Sequence, residues 1–334
     1  MTRIQQKNTR ISDFLNREEM AFFAQRSNWW GLWCIFSVWL VIALAFTAMA
    51  LAVEYLPWYW TIPVVLAGMV VLGGRHLALA IVMHEAAHHT LFKDRWMNDV
   101  FANWTSAKFI WNDVHKFRAH HMVHHANTTA SFDPDRPIYE ALPITRKSLI
   151  RKFTRDLIGL TGLKFFIGRI LMSAGFLKWS DAIGERADTQ DWPWHRYLTH
   201  FAKDFWPTFL VNLMLYLVLA TTGHGWLFLI WVLAYAIPFT IFVRIRAMAE
   251  HACLELVPDT LRNTRTTSAG WLARMTVAPV RVNYHMEHHL MASAPYYRLP
   301  KLHHLLLQRG HVPQPPTYLD VVRTCSSLSS QNKF

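Results

Sequence analysis

Residues 60–89 read WTIPVVLAGMVVLGGRHLALAIVMHEAAHH, an apolar run that closes in H-E-A-A-H-H. From about Trp60 to Met83 the run is long enough to cross a bilayer, which takes about 20 residues. At its end His84 and His88 stand four apart, so on a continuing helix both rings share one face. A membrane span therefore delivers two imidazoles to the water boundary.

Three more apolar stretches of this kind lie outward from it, at about 29–53, 205–220 and 226–243, the third span being the shortest. The first two spans are joined by a few residues around Glu54 to Trp58, the last two by Thr221 to Gly225. Each pair reads as a tight helical hairpin. Lys and Arg are absent from both short connections, and apart from Arg75 they fall in the N-terminal segment, the middle segment and the segment after span four. Basic residues collect on the cytoplasmic side. Both termini and the long middle segment are thus expected in the cytoplasm. Trp29, Trp30, Trp33, Trp58, Tyr59, Trp60, Trp206 and Trp226 sit at the span ends, where amphipathic rings favour the interface. The expected fold is all-α: four transmembrane helices in two hairpins, with a cytoplasmic helical domain carrying the histidines. A segment 1–28 precedes a single domain, 29–334, whose cytoplasmic parts are 84–203 and 250–325. The N-terminus is polar and mixed in charge through Asn28, so no cleavable signal is visible.

An apolar share of 52% and a mean hydropathy of +0.12 are too greasy for an ordinary soluble enzyme and too polar for spans alone. The net charge of +12 follows the topology rather than forming a nucleic-acid patch, so no nucleic-acid partner is expected. Cys34, Cys253 and Cys325 form neither a CxxC nor a zinc spacing and read as reduced structural thiols. In the middle segment Phe153, Leu157, Leu160 and Leu163 recur at helical spacing among cations. They predict a helix lying on the membrane or packed in the cytoplasmic domain.

Nineteen histidines are many for this length, and eleven of them fall in four places. These are His84, His88 and His89; His120, His121, His124 and His125; His251; and His285, His288 and His289. His121-x-x-His124-His125 and His285-x-x-His288-His289 repeat one pattern, and on a helix all three rings of each can face one way. All four places lie on the same side of the membrane. Imidazole binds zinc, copper, iron and nickel, and so many rings suit two ions better than one. Glu85, Glu250 and Glu287 each adjoin a candidate ligand and are expected to orient the rings. His89 and His120 fall outside the spacing and read as supporting residues. Asp133 and Asp135 in D-P-D-R-P either support the site or form an exposed turn set by the prolines. Tyr296, Tyr297 and Arg298 are candidates to cap a substrate channel. Arg75 and His76 are the polar group deep in a span; Arg75 is expected to snorkel or pair with a carboxylate.

Two readings compete with a two-metal oxidative centre. H-E-A-A-H also fits the zinc-protease motif H-E-x-x-H, with Glu85 as general base, but this leaves the other two boxes without a task. A metal transporter would place ligands near mid-membrane, where only His76 and Arg75 stand.

As a set, H-E-A-A-H at 84–88, H-M-V-H-H at 121–125 and H-M-E-H-H at 285–289, in this order around the hairpins, resemble the three histidine boxes of the membrane fatty acid desaturases. The likeness runs from the first span to about Gly310. It implies that His84, His88, His121, His124, His125, His285, His288 and His289 are iron ligands, and it offers His251 in R-x-x-x-E-H as a further one. It implies a di-iron centre, dioxygen as co-substrate, and a lipid or acyl substrate that is desaturated; hydroxylases and ketolases share such boxes and also act on carotenoids or small molecules. No H-P-G-G haem signature or Cys₄ cluster set is present, and no bound haem or flavin is expected. Electrons are expected from a separate donor of ferredoxin or cytochrome type. The site of action would be a bacterial plasma or inner membrane, or the endoplasmic reticulum of a eukaryote.

Overall fold

The structure is a computed structural model and describes residues 9–181 and 184–327. Among these residues the secondary structure is helical, with isolated bridges and no strand.

Among the described residues four helices are long and apolar enough to cross a membrane. α1 spans Asn28–Tyr55 and α2 spans Trp58–Ala87. Pro57 caps α2 in extended backbone, so one helix ends and the next begins across two residues. Outward-facing Phe36, Leu44 and Leu51 of α1 are exposed, as are Trp58, Tyr59, Trp60 and Ile62 at the start of α2. The second half of α2 is different: nearly every residue from Leu72 to Ala87 is buried. A helix buried on all sides must be ringed by other elements. Here Gly73 and Gly74 allow the closest approach, because a Cβ on Gly74 would lie 2.0 Å from the Met275 carbonyl oxygen.

Box two lies on α3, Val114–Asn127, whose N-cap Asp113 accepts from the backbone N–H of His115 and Lys116. Next come α4, Arg146–Leu157, and α5, Leu160–Ala174, bent by 67° where Gly159 takes φ +78°. The single surface helix expected through Phe153, Leu157, Leu160 and Leu163 is therefore two helices, because a left-handed glycine breaks the spacing. Asp156 of α4 is fully buried and accepts from Arg244 Nη2 at 2.8 Å.

α6 covers Trp194–Thr221. The third span, expected to be the shortest, thus gains more than two turns before Phe205 and equals α1 in length. The fourth is split into α7, Leu227–Ala236, and α8, Pro238–His251. Pro238 has no N–H to continue the ladder, and Ile237 departs from helical backbone at φ −115°, ψ −83°.

Box three forms the short α9, His285–Leu290, backed by α10, Leu299–Gln308. Met286 and Leu290 pack with Leu299, Leu302 and Leu306, and with Leu15 and Phe23 from the N-terminal segment. The last helix, α11, Tyr318–Cys325, lies against α8 and brings Cys325 Sγ within 3.7 Å of Cys253 Sγ.

Candidate metal centre

His84 sits in the last turn of α2 and His88 at its C-cap, their ring centroids 4.9 Å apart. His89 takes φ +55° and turns away, its Nε2 2.9 Å from Asp99 Oδ1. Arg118 also donates to Asp99, and to the Ala86 and Ala87 carbonyl oxygens, which ties α3 to the end of α2.

The H-x-x-H-H triplets do not each face one way. Residues four apart stay together and the middle one turns aside, since 3.6 residues per turn puts i+3 and i+4 on opposite flanks of i. Hence His121 and His125 join His84, His88 and His288 in one group, while His124 joins His251, His285 and His289 in a second. In each group one nitrogen per ring lies within 4.8 Å of all the others.

Spacing and wiring suit metals. His121 and His125 Nε2 are 3.0 Å apart, His125 and His288 Nε2 3.0 Å, and His251 and His285 Nε2 2.8 Å. Two nitrogens about 2.1 Å from one ion and at right angles to each other would be about 3 Å apart. His84, His88 and His289 each bury an Nε2 with no hydrogen-bond partner among the described residues. Orphaned acceptors of this kind are costly unless something binds them. On the far sides of the rings, Nδ1 of His124 meets Asp133 at 2.8 Å, His251 meets the Asn263 carbonyl at 3.0 Å, and His84 meets Glu85 at 3.2 Å. His285 Nδ1 lies 3.5 Å from Glu250 and His289 Nδ1 3.4 Å from Thr128 Oγ1. Such contacts fix tautomer and ring angle.

Burial, and then the neighbouring imidazoles, push His121, His125, His285, His288 and His289 well below the ordinary histidine range. Burial and nearby cationic groups lower His88 to about 3. These rings are neutral near pH 7 and offer lone pairs.

Asp133 is not in an exposed turn. It is 3% exposed and also accepts from Tyr139 Oη at 2.7 Å and from the Thr129 N–H. Burial raises its pKa, but the bonds from His124 and Tyr139 outweigh it and hold it at about 2. His120 Nε2 meets Asp135 at 2.8 Å. Glu85 also takes Thr90 and the Tyr296 N–H, and Glu250 takes Arg246. Glu287 departs from expectation: fully buried, it bonds Thr266 and, at 2.7 Å, His303, bracing α9 against α10. Tyr296, Tyr297 and Arg298 reach toward the start of the chain: Tyr296 Oη donates to the Trp30 carbonyl oxygen of α1, and Tyr297 and Arg298 donate to Gln25, with Tyr297 stacked on Trp30. Arg75 meets no carboxylate among the described residues; it donates to the Arg274 and Met275 carbonyl oxygens.

Sequence reasoning missed the backbone carbonyl of Asn263, which leaves no trace in residue type, and Thr128, Arg118 and His303. His303 could have been suspected from a histidine beside a buried acid in a neighbouring helix. A chamber of about 390 Å³ opens on His84, His121, His124, His251 and His285, and its wall mixes apolar Leu77 and Phe239 with charged Arg169, Asp181 and Arg246.

Four helices long and apolar enough to cross a membrane, with two imidazole groups gathered at their ends, fit a multi-pass membrane protein whose histidines could hold metal. The fatty acid desaturase family model matches residues 60–318, and the chain belongs to this family of oxidoreductases acting on lipid or acyl substrates. No individual curated protein matches it.

Proposed function

We propose that this chain is an oxygen-dependent fatty acyl desaturase in which nine histidines hold two iron ions. One ion takes His84, His88, His121, His125 and His288; the other takes His124, His251, His285 and His289. The observation that carries this reading is the division of the rings into two buried groups, each within 4.8 Å. The zinc-protease reading uses two of these rings and leaves the second group unexplained. A transporter gains no support from a centre built at the end of the spans.

Bound iron would supply, with dioxygen and two electrons, the power to break an unactivated C–H bond. The protein's part is to place and protect. Asp133, Glu85 and Glu250 orient rings, and apolar side chains such as Leu77 and Phe239 beside them would help keep bulk water from the reacting carbon. The chamber aligns one stretch of chain beside both ring groups.

In our reading the spans form two hairpins, with both termini and the histidine-bearing segments on the cytoplasmic side, in a single domain from residue 29 onward. The distribution of Lys and Arg supports it. Electrons then come from a separate ferredoxin or cytochrome-type donor, which the basic cytoplasmic face would suit. A hydroxylase or ketolase of the same fold would use the same ligands.

Iron analysis and lipid profiling test this together. The purified protein should carry two irons per chain, and a host expressing it should gain lipids lighter by two hydrogens. Gain of one oxygen instead would make it a hydroxylase. His124→Ala should insert normally yet lose iron and product; full turnover in that variant removes box two from the site.

A further inference from the structure

α5 holds two glycines within its helical run, Gly162 and Gly168. Glycine inside a helix is unfavourable against alanine, so each position calls for a compensating gain. Gly162 has one. A Cβ there would lie 2.3 Å from the carbonyl oxygen of Ala236, the last residue of α7, so only a bare backbone lets the two helices meet. Gly168 has no such reason. Its φ lies outside the left-handed region, and a Cβ there would meet no described atom within 4 Å beyond its own stretch of helix.

The open space over Gly168 is the metal chamber. Lys164, Phe165, Gly168, Arg169 and Met172 are the residues that α5 gives to the chamber wall. At 3.6 residues per turn they cover one side of the helix, and Gly168 falls inside that arc rather than at its edge. Leu163, Ile167 and Ile170 point the other way and are exposed. The same chamber opens on His84, His121, His124, His251 and His285. Room for a side chain is thus left empty on the wall of the space that holds the histidines. Packing within the chain gains nothing from it, so the gain lies with what enters the chamber.

We propose that Gly168 is a specificity-determining residue: the hydrocarbon chain of the substrate lies against the bare backbone of α5 here, and any large side chain at this position would exclude it. The inference deepens the reading that the histidine groups act on a lipid, and rests on it for what fills the chamber.

The test is photocrosslinking in the host membrane. The host is fed octadecanoic acid bearing a mid-chain diazirine, so that its own lipids carry the probe, and labelled residues are mapped by mass spectrometry. Leu163 and Ile167, on the exposed side of α5, give the standard for surrounding lipid. Phe165 and Met172 report the chamber. Wild type should be labelled on both sides. Gly168→Leu and Gly168→Phe should lower the chamber label against the standard by about tenfold or more, the scale of overpacking, and any product lipids should fall in step. Gly168→Ala, one carbon larger, should keep most of both.

Wild-type chamber label in Gly168→Phe would overturn the proposal, as would a wild-type protein with no chamber label. An alanine variant that loses as much as the phenylalanine one would overturn it too, by making Gly168 a point of helix flexibility. Thermal unfolding in detergent separates exclusion from misfolding: if both larger variants melt well below wild type, the space is closed in the folded protein and the proposal fails. Chamber label in a wild type whose host lipids stay unchanged would sink the oxidative reading and leave this one standing.

Discussion

Asp133 touches no position where a metal would sit, yet it fixes one ring that does. Its carboxylate receives His124 Nδ1 at 2.8 Å and is itself pinned by Tyr139 and the Thr129 N–H. Asp133→Asn keeps the shape and removes the charge that strengthens the bond. Loss of such a partner typically costs about 10–100-fold in metal affinity, and chelator competition should find that loss in the second histidine group. An unchanged chelator midpoint would mean that the ring is held by packing alone. The neutral rings also set a pH response. His88 titrates near 3 in the folded protein against 6.5 in the open chain. Between those values the unfolded chain binds more protons, so stability falls as pH falls. The slope is about 1.4 kcal/mol per pH unit for each such ring, and it vanishes above the unfolded value. Iron-free protein should therefore melt at steadily lower temperature from about pH 6.5 downward. A melting point flat to about pH 5 would contradict buried neutral imidazole.

Elements decide how these residues meet. α2 can be crowded on all sides because its waist is glycine. Gly74→Ala would drive a Cβ into the Met275 carbonyl oxygen, a backbone atom that cannot swing aside. Overpacking of this kind costs about 1–3 kcal/mol. Gly168→Ala on α5 is the control, since its Cβ meets nothing within 4 Å and alanine favours a helix by about 1 kcal/mol. Thermal unfolding in detergent should place the two variants on opposite sides of the parent. Equal melting points would show that the α2 waist is slack. The elements were also where the sequence was easiest to read. Span two and its terminal His84 followed from an apolar run and an i, i+4 pair. The α4–α5 bend did not, because Gly159 is one residue and the apolar spacing runs straight through it. The extra length of α6 was hidden by the polar residues of Trp194–Asp204, which stay helical while leaving the apolar window.

Across the whole molecule, which histidines gather was legible and how they divide was not. Spacing alone put three rings of each H-x-x-H-H on one face. The 3.6-residue period splays His124 from His121 and His125, and the placement of α3 and α9 against α2 and α8 gives each flank its own partners. Asp133 was visible too, but proline neighbours argued for a turn at the surface, and nothing local signals that Tyr139 and His124 close over it. His76 stood out as a polar residue in a span, while its full burial against Trp231 depends on a helix far along the chain.

α3 gives two rings to one group and one to the other, and α9 does the reverse. Neither helix can settle on one ion without setting the stance of the rings that await the next. Loading should then be cooperative, the first ion paying the ordering cost for both. Protein given half its complement of iron should divide into empty and doubly filled molecules, with singly filled ones scarce by native mass spectrometry. A dominant singly filled species would mean that the two seats fill independently.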